Sequence, residues 1–139
     1  MLNLFSAIKT AASGLQAQAQ RLAIVTQNIA NKDIPTDNAN KLPYLKKRIF
    51  FKNELDRKTG ANTVKAYRIS DDTTSPLNLK WDPTHPAARP DGYLTYPNIN
   101  ETIEIADFAE AKNSYNANLN VLSSTKNIIL EALKIISDK

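Results

Sequence analysis

The amino-acid sequence predicts a mainly α fold with a smaller β part. Long N- and C-terminal helices pack as a coiled-coil-like pair, with a β-hairpin and an irregular extended segment between them. Three observations carry this reading. Ile8, Leu15, Leu22 and Ile29 recur every seven residues, with Leu4, Ala11 and Val25 on the neighbouring stripe. Phe108, Tyr115, Leu122, Ile129 and Ile136 repeat that rhythm, joined by Leu119 and Leu133. Between the two rows the chain changes to aromatic and β-branched runs, then to a proline-dense stretch. An apolar residue at every seventh position keeps one helix face toward a partner helix, the condition for a coiled-coil seam.

The first helix is predicted from about residue 4 to Asn31. Ala7, Ala11, Ala12, Gln16, Ala17, Gln18, Ala19 and Gln20 are good helix formers. Gly14 interrupts them at a cost of about 1 kcal/mol relative to alanine. It is either a point of close backbone approach or a plain weak point, and both readings stay open. Pro35 biases Ile34 away from helical geometry, and Asp33, Thr36, Asp37 and Asn38 supply turn chemistry after the helix. Tyr44 to Phe51 reads as a strand, Thr63 to Ile69 as a second, and Glu54 to Asn62, with Gly60, as their connection. Leu77, Leu79 and Trp81 alternate with polar residues as a short third strand. Pro83, Pro86 and Pro90 exclude a helix or a central strand across the turn formers that follow. The last helix starts at Asn100, a good N-cap a short way past Pro97. Glu101, Glu104, Asp107 and Glu110 fall in its first turns and Lys126, Lys134 and Lys139 late, an order that complements the helix dipole. The chain thus divides into a terminal helical unit, residues 1–31 and 100–139, and a β-rich, irregular segment, residues 32–99.

A chain of 139 residues is long enough for one modest domain. Without cysteine it has neither a disulfide framework nor a thiolate metal site. Its net charge of +4 is mild, and Lys46, Lys47 and Arg48 form the only tight basic cluster, which disfavours nucleic acid as a partner. No run of about 18 apolar residues exists, so no membrane insertion is expected. Lys9, the first basic residue, falls inside the would-be apolar stretch of a secretory leader. If the chain leaves the cytoplasm, it is expected to do so by a route that does not cleave such a peptide.

Enzymatic readings find little support. His85 is the only histidine, and Pro83 and Pro86 make a rigid turn its simpler purpose. Glu104 and Asp107 share a helix face as an acid–base pair would, yet first-turn acids are commoner as partners of the dipole. In a strand, Lys46 to Arg48 reads as a solvated edge that discourages stray pairing. Gly14, Gly60 and Gly92 are too far apart for a phosphate-binding loop. No catalytic residue, cofactor or metal is expected. Tyr115 lies on the apolar seam but carries a hydroxyl that needs a partner if buried, which Gln18 or Asn28 would supply.

Length points to an assembly. A helix over residues 103–137 is about 52 Å long at about 1.5 Å per residue. A compact domain of this size is roughly 29 Å across. Val121, Ile128 and Ile135 add a second seven-spaced apolar row, and a helix with two such rows wants more than one neighbour. The simplest inference is that the ends are loose in the free monomer and become ordered when several copies pack. The alternative is a monomeric helical-hairpin binding module whose basic strand binds an acidic partner.

Ala12-Ser13-Gly14-Leu15, then Gln18, Arg21-Leu22 and Asn28-Ile29-Ala30-Asn31 resemble the N-terminal signature of bacterial flagellar rod, hook and axial proteins. Asp82-Pro83-x-His85-Pro86, Gly92-Tyr93, Pro97-Asn98-Ile99-Asn100, Glu104 and Ser114-Tyr115-x-Ala117-Asn118 narrow the resemblance to proximal rod proteins. The motif residues are Gly14, Arg21, Asn28, Asn31, His85, Gly92, Pro97 and Asn98. The chain departs from the pattern at Lys32-Asp33-Ile34-Pro35, at Lys112-Asn113, and at Ile103 and Ile105. The resemblance implies a structural subunit of the basal-body proximal rod in the periplasm, exported by the flagellar type III apparatus. Its terminal helices would form an inner tube with other copies and neighbouring rod proteins, walling the export channel and transmitting torque. Ile8, Leu15, Leu22, Val25, Ile29, Phe108, Tyr115, Leu119, Leu122, Ile129, Leu133 and Ile136 are the expected subunit-interface residues.

Overall fold

The computed structural model describes residues 4–137; Lys139 and the extreme ends of the predicted helical unit lie outside the described residues. Helix α1 spans Leu4–Asn31 and α2 spans Glu101–Ser137. Between them β1 (Lys47–Asp56) pairs antiparallel with β2 (Ala61–Asp71), and β3 (Asn78–Trp81) with β4 (Tyr93–Tyr96). The fold is mainly α, with the two terminal helices packed together and the smaller β part between them. Asn100 caps α2 as its side chain predicts: Oδ1 accepts the N–H groups of Thr102 at 3.0 Å and Ile103 at 3.3 Å. Those donors have no carbonyl in a preceding turn.

The helices run antiparallel. Lys32 pairs with Glu101, Asn28 with Glu104, Arg21 with Asp107 and Glu110, and Gly14 meets Asn118. Partners on α2 climb as those on α1 descend. The most deeply covered positions of α2 are Glu104, Ala111 and Thr125, with half-buried Asn118 completing a seven-residue row. This row is small or polar, and hydrophobic periodicity passes over it. Buried apolar residues elsewhere are mostly small too: Ala11, Ala17, Ala61 and Ala87 stand beside Val25, Leu94 and Ile99.

The β segment differs from its prediction in three places. β1 and β2 run further toward their turn, leaving residues 57–60 as the connection instead of Glu54 to Asn62. Asp56 closes it: its Oδ1 accepts the Lys58 N–H at 2.9 Å and its carbonyl accepts the Gly60 N–H at 2.7 Å. Gly60 sits at φ +67°, a conformation open to glycine at no steric cost. Tyr44 to Lys46 precede the strand, because the Lys46 backbone is bonded to Asn98 and Asp72. β4 was not expected, since four residues between Gly92 and Pro97 give too short an alternation to read. Its Leu94 is nonetheless among the largest fully buried side chains. The β1–β2 hairpin lies against α1, where Ser13 Oγ accepts the Val64 N–H at 3.1 Å and Lys9 pairs with Asp56.

Gly14 does mark a close approach, but by the side chain of Asn118 and not by another backbone. A Cβ there would lie 2.8 Å from the Asn118 side-chain amide, whose Nδ2 already donates to the Ser114 carbonyl at 2.9 Å. Alanine would gain about 1 kcal/mol of helix propensity against an overpacking cost of about 1–3 kcal/mol. Gly14→Ala is therefore expected to melt below the wild type. Gly14→Ala combined with Asn118→Ala should melt above Gly14→Ala alone, since the obstruction is gone and the propensity remains. Thermal unfolding by circular dichroism checks both, and a single variant more stable than the wild type would contradict the contact.

Candidate functional site

Helix α1, helix α2 and the entry to β1 meet at Asn28, only 1% exposed. Its Nδ2 donates to Glu104 Oε2 at 3.1 Å and to the Lys47 carbonyl at 2.9 Å. Its Oδ1 accepts the Tyr44 hydroxyl and the Lys47 N–H, each at 2.9 Å. Glu104 is equally buried, and the Lys46 ammonium sits 2.6 Å from its other oxygen. A buried carboxylate persists only when a cation and donors offset its lost hydration. Lys46 and Asn28 supply both here. Burial first, then the charges of Asp71 and Glu104, push the Tyr44 phenol up to about 12.

A second asparagine grips the preceding residue. Asn98 Oδ1 accepts the Lys46 N–H at 2.8 Å, and its Nδ2 donates to the Asp72 carbonyl at 2.8 Å. The Asp72 N–H returns to the Lys46 carbonyl at 2.8 Å, closing the wide end of the hairpin. The Asp72 carboxylate accepts the Ser75 and Thr74 hydroxyls, each at 2.7 Å, and both of their N–H groups. These bonds hold its carboxyl well below the usual range. Asn28 and Asn98, 70 positions apart in the chain, thus hold adjacent residues of one strand entry.

The other motif residues tie the helix pair or shape local turns. Arg21 spans to Asp107 at 3.2 Å and Glu110 at 3.0 Å across the helix pair. Asn31 Nδ2 donates back to the Gln27 carbonyl at 2.8 Å in the last turn of α1. The carbonyl of buried Pro97 accepts Asn78 Nδ2 at 2.7 Å. His85 Nδ1 accepts the Ala87 N–H at 3.1 Å, which makes it a turn residue. Gly92, at φ +81°, lies so close under Trp81 that a Cβ would be 3.1 Å from the indole nitrogen.

Of the expected interface residues, Val25 is buried, and Ile8, Leu15, Leu22, Ile29, Tyr115, Leu122 and Ile129 are half-buried. Phe108, Leu119, Leu133 and Ile136 are exposed, Ile136 to 71%. Three expectations change. Lys46 is not a solvated edge residue, because it neutralises Glu104. Glu104 is not a surface acid facing the dipole, because Asn28 and Lys46 enclose it. The tyrosine that reaches Asn28 is Tyr44, and among the described residues no hydrogen bond is made by the Tyr115 hydroxyl. Asp72 was missed, although Asp72-Thr73-Thr74-Ser75 is a sequence signature of a carboxylate that gathers its own turn.

Among the described residues no group of three His, Cys, Asp or Glu could hold a metal ion, and no helix is long and apolar enough to cross a membrane. Fold and site together define an antiparallel pair of terminal helices fixed to its hairpins by polar side chains. Residues 8–39 match the family model described as "Flagella basal body rod protein". The chain is 38% identical over 133 residues to the flagellar basal-body rod protein FlgC of Agrobacterium fabrum, covering 96% of this chain and 95% of that one. It is 34% identical over 136 residues to the FlgC of Buchnera aphidicola subsp. Acyrthosiphon pisum, covering 97% of each. Against the FlgC of Bacillus subtilis it is 31% identical over 146 residues, covering 94% of this chain and 97% of the relative. The chain belongs to the flagellar basal-body rod protein FlgC family.

Removing one partner of the enclosed pair leaves a charge without compensation. Lys46→Met is expected to cost about 3 kcal/mol in urea unfolding, and Lys46→Met with Glu104→Leu distinctly less. Equal losses would argue against the pair. Tyr44 gives a pH signature. Its folded value lies above the unfolded value of about 10, so its stabilisation is full below pH 10 and is lost as pH rises toward 12. Denaturation across that window should show a shallower fall for Tyr44→Phe than for the wild type.

Proposed function

We propose that the chain is a subunit of the flagellar proximal rod that assembles through its terminal helices with copies of itself and with neighbouring rod proteins. One observation carries this reading. Helix α2 exposes ten large apolar side chains among the described residues, from Ile103 to Ile136. They include Leu119, Val121, Ile128, Leu130, Leu133 and Ile135, so the outer half of the helix is apolar on several sides. Monomeric soluble proteins rarely present contiguous apolar surface on that scale. Helices of neighbouring subunits would cover it, making Leu119, Leu133 and Ile136 contacts between subunits. Val25, Leu22 and Leu122 would serve mainly the pair within one chain.

A ring of such pairs would form a tube wall, and the tube would carry exported protein and transmit torque. The framework around Asn28 and Asn98 supports this role, because it ties each hairpin rigidly to the wall. Export by the flagellar type III apparatus and residence in the periplasmic rod complete the proposal. In the free subunit the outer part of α2 would open readily and become fully ordered only against its neighbours.

Exposed and half-buried positions separate folding from assembly. Leu133→Asp with Ile136→Asp is expected to leave the unfolding free energy of the purified chain within about 1 kcal/mol of wild type. The same variant should abolish incorporation into the rod and motility. Leu22→Asp should lose both stability and incorporation. Normal motility in the Leu133/Ile136 variant would contradict assembly through this face.

A further inference from the structure

The β1–β2 hairpin and the residue before it carry more charge than the contact with Glu104 uses. Residues 46–71 contain eight basic residues and three acidic ones, an excess of five in a chain whose total is +4. Its own acids are mostly engaged: Glu54 pairs with Lys52, and Asp56 with Lys9. Lys46 is taken by Glu104. Among the described residues, no carboxylate forms an ion pair with Arg48 or Arg68.

These two arginines are held in a defined arrangement. Phe50 stands directly opposite Arg68 in the ladder, and Arg48 lies two residues before Phe50 on the same face. The guanidinium carbons lie 5.8 Å (Arg48) and 5.7 Å (Arg68) from the Phe50 ring centroid. A guanidinium within about 6 Å of a ring centroid is attracted to the ring face, and its donors remain free for a carboxylate. The ladder shifts register immediately after Phe50, with Phe51 opposite Ala66, so Tyr67 is the extra residue of a β-bulge. Bulges re-aim side chains. Here Tyr67 comes within 6.4 Å of the Phe50 ring, centroid to centroid, and stays 56% exposed.

We infer that Arg48, Phe50, Tyr67 and Arg68 form a docking surface for an acidic segment of another protein, with the two guanidinium forks gripping its carboxylates. Arginine and tyrosine with an aromatic support are the side chains that dominate binding energy at protein interfaces. A duplex nucleic acid would call for basic residues spread along the phosphates, and a membrane surface for lysines around inserted apolar groups. Neither matches two forks on one ring. The inference deepens the rod reading by naming the chemistry of a partner of the hairpin, and it is independent of the helix face that carries that reading.

The test uses the full chain in solution, so its failure leaves assembly through α2 untouched. Fluorescence anisotropy at low salt measures binding of a fluorescein-labelled peptide, Glu-Glu-Leu-Glu-Glu-Leu. Arg48→Gln with Arg68→Gln is expected to weaken it about ten-fold or more. Arg48→Lys with Arg68→Lys should also weaken it, since charge is kept and the fork is lost. Lys58→Gln with Lys65→Gln removes the same charge outside the cluster and should change little. Circular dichroism of each variant checks the fold. The inference is overturned by absence of binding to the wild type, or by equal loss in the lysine-to-glutamine pair. Lysine replacements that bind like wild type would overturn it too. So would tighter arginine-dependent capture of a DNA duplex or of phosphatidylglycerol vesicles.

Discussion

The arrangement depends on a carboxylate that cannot stand alone. Glu104 lies on the covered face of α2, where hydration is gone, and Asn28 and Lys46 are the groups that offset that loss. Lys46 can reach it only if β1 enters the sheet at that point. That entry is held by the Lys47 backbone on Asn28 and the Lys46 N–H on Asn98. One ion pair therefore couples the spacing of the helices to the position of a hairpin. The remaining ties fall into line with it: Arg21 on Asp107 and Glu110, Lys32 on Glu101, and Gly14 against Asn118.

A buried pair of this kind contributes little net stability, because desolvation offsets most of its attraction. Its value lies in register. Apolar rows that repeat every seven residues are nearly degenerate: sliding one helix by a heptad puts aliphatic side chains opposite aliphatic side chains again. The same slide would bring Arg21 toward Glu104 in place of Asn28, and would pull Glu104 away from Lys46. In the observed alignment the Asn28 amide reaches one oxygen of the Glu104 carboxylate and the Lys46 ammonium stands beside the other. The covered row of α2 (Glu104, Ala111, Asn118, Thr125) makes this possible, because small and polar residues let the helices approach closely enough for side-chain amides to meet.

Much of this architecture was legible in the sequence. The seven-residue rows located both helices, and Asn100 marked the start of α2 because a capping side chain acts on residues next to it. Gly60, Gly92 and the prolines signalled turns for the same local reason. What escaped the reading is non-local or counter to hydrophobicity. Glu104 bonds Asn28 across 76 positions, and Asn98 bonds Asp72 across 26. No spacing rule connects them. Periodicity weights large apolar residues, so it pointed to Phe108 and Leu119, which are exposed, and passed over the small, polar row beside them. The resemblance to rod proteins did single out Asn28 and Asn98, but only the folded chain shows that both hold the same strand entry.

The placement of the contacts among Asn28, Glu104 and Lys46 also explains the uneven character of α2. Its first turns are bound by Asn28, Lys46, Arg21 and Lys32, all polar and all from the same chain. Beyond Thr125 the described side-chain bonding falls to a single hydroxyl contact, from Ser137 to the Lys134 carbonyl. Large aliphatic side chains there stand in solvent. A helix anchored at one end and apolar at the other has graded local stability, lowest where its own chain offers least cover. The polar ties fix the base of α2 against the hairpins, and the apolar outer half is left without cover from its own chain. Directional hydrogen bonds fix the geometry of the anchored end, whereas the burial that the outer half lacks is non-directional and tolerant of which apolar face provides it.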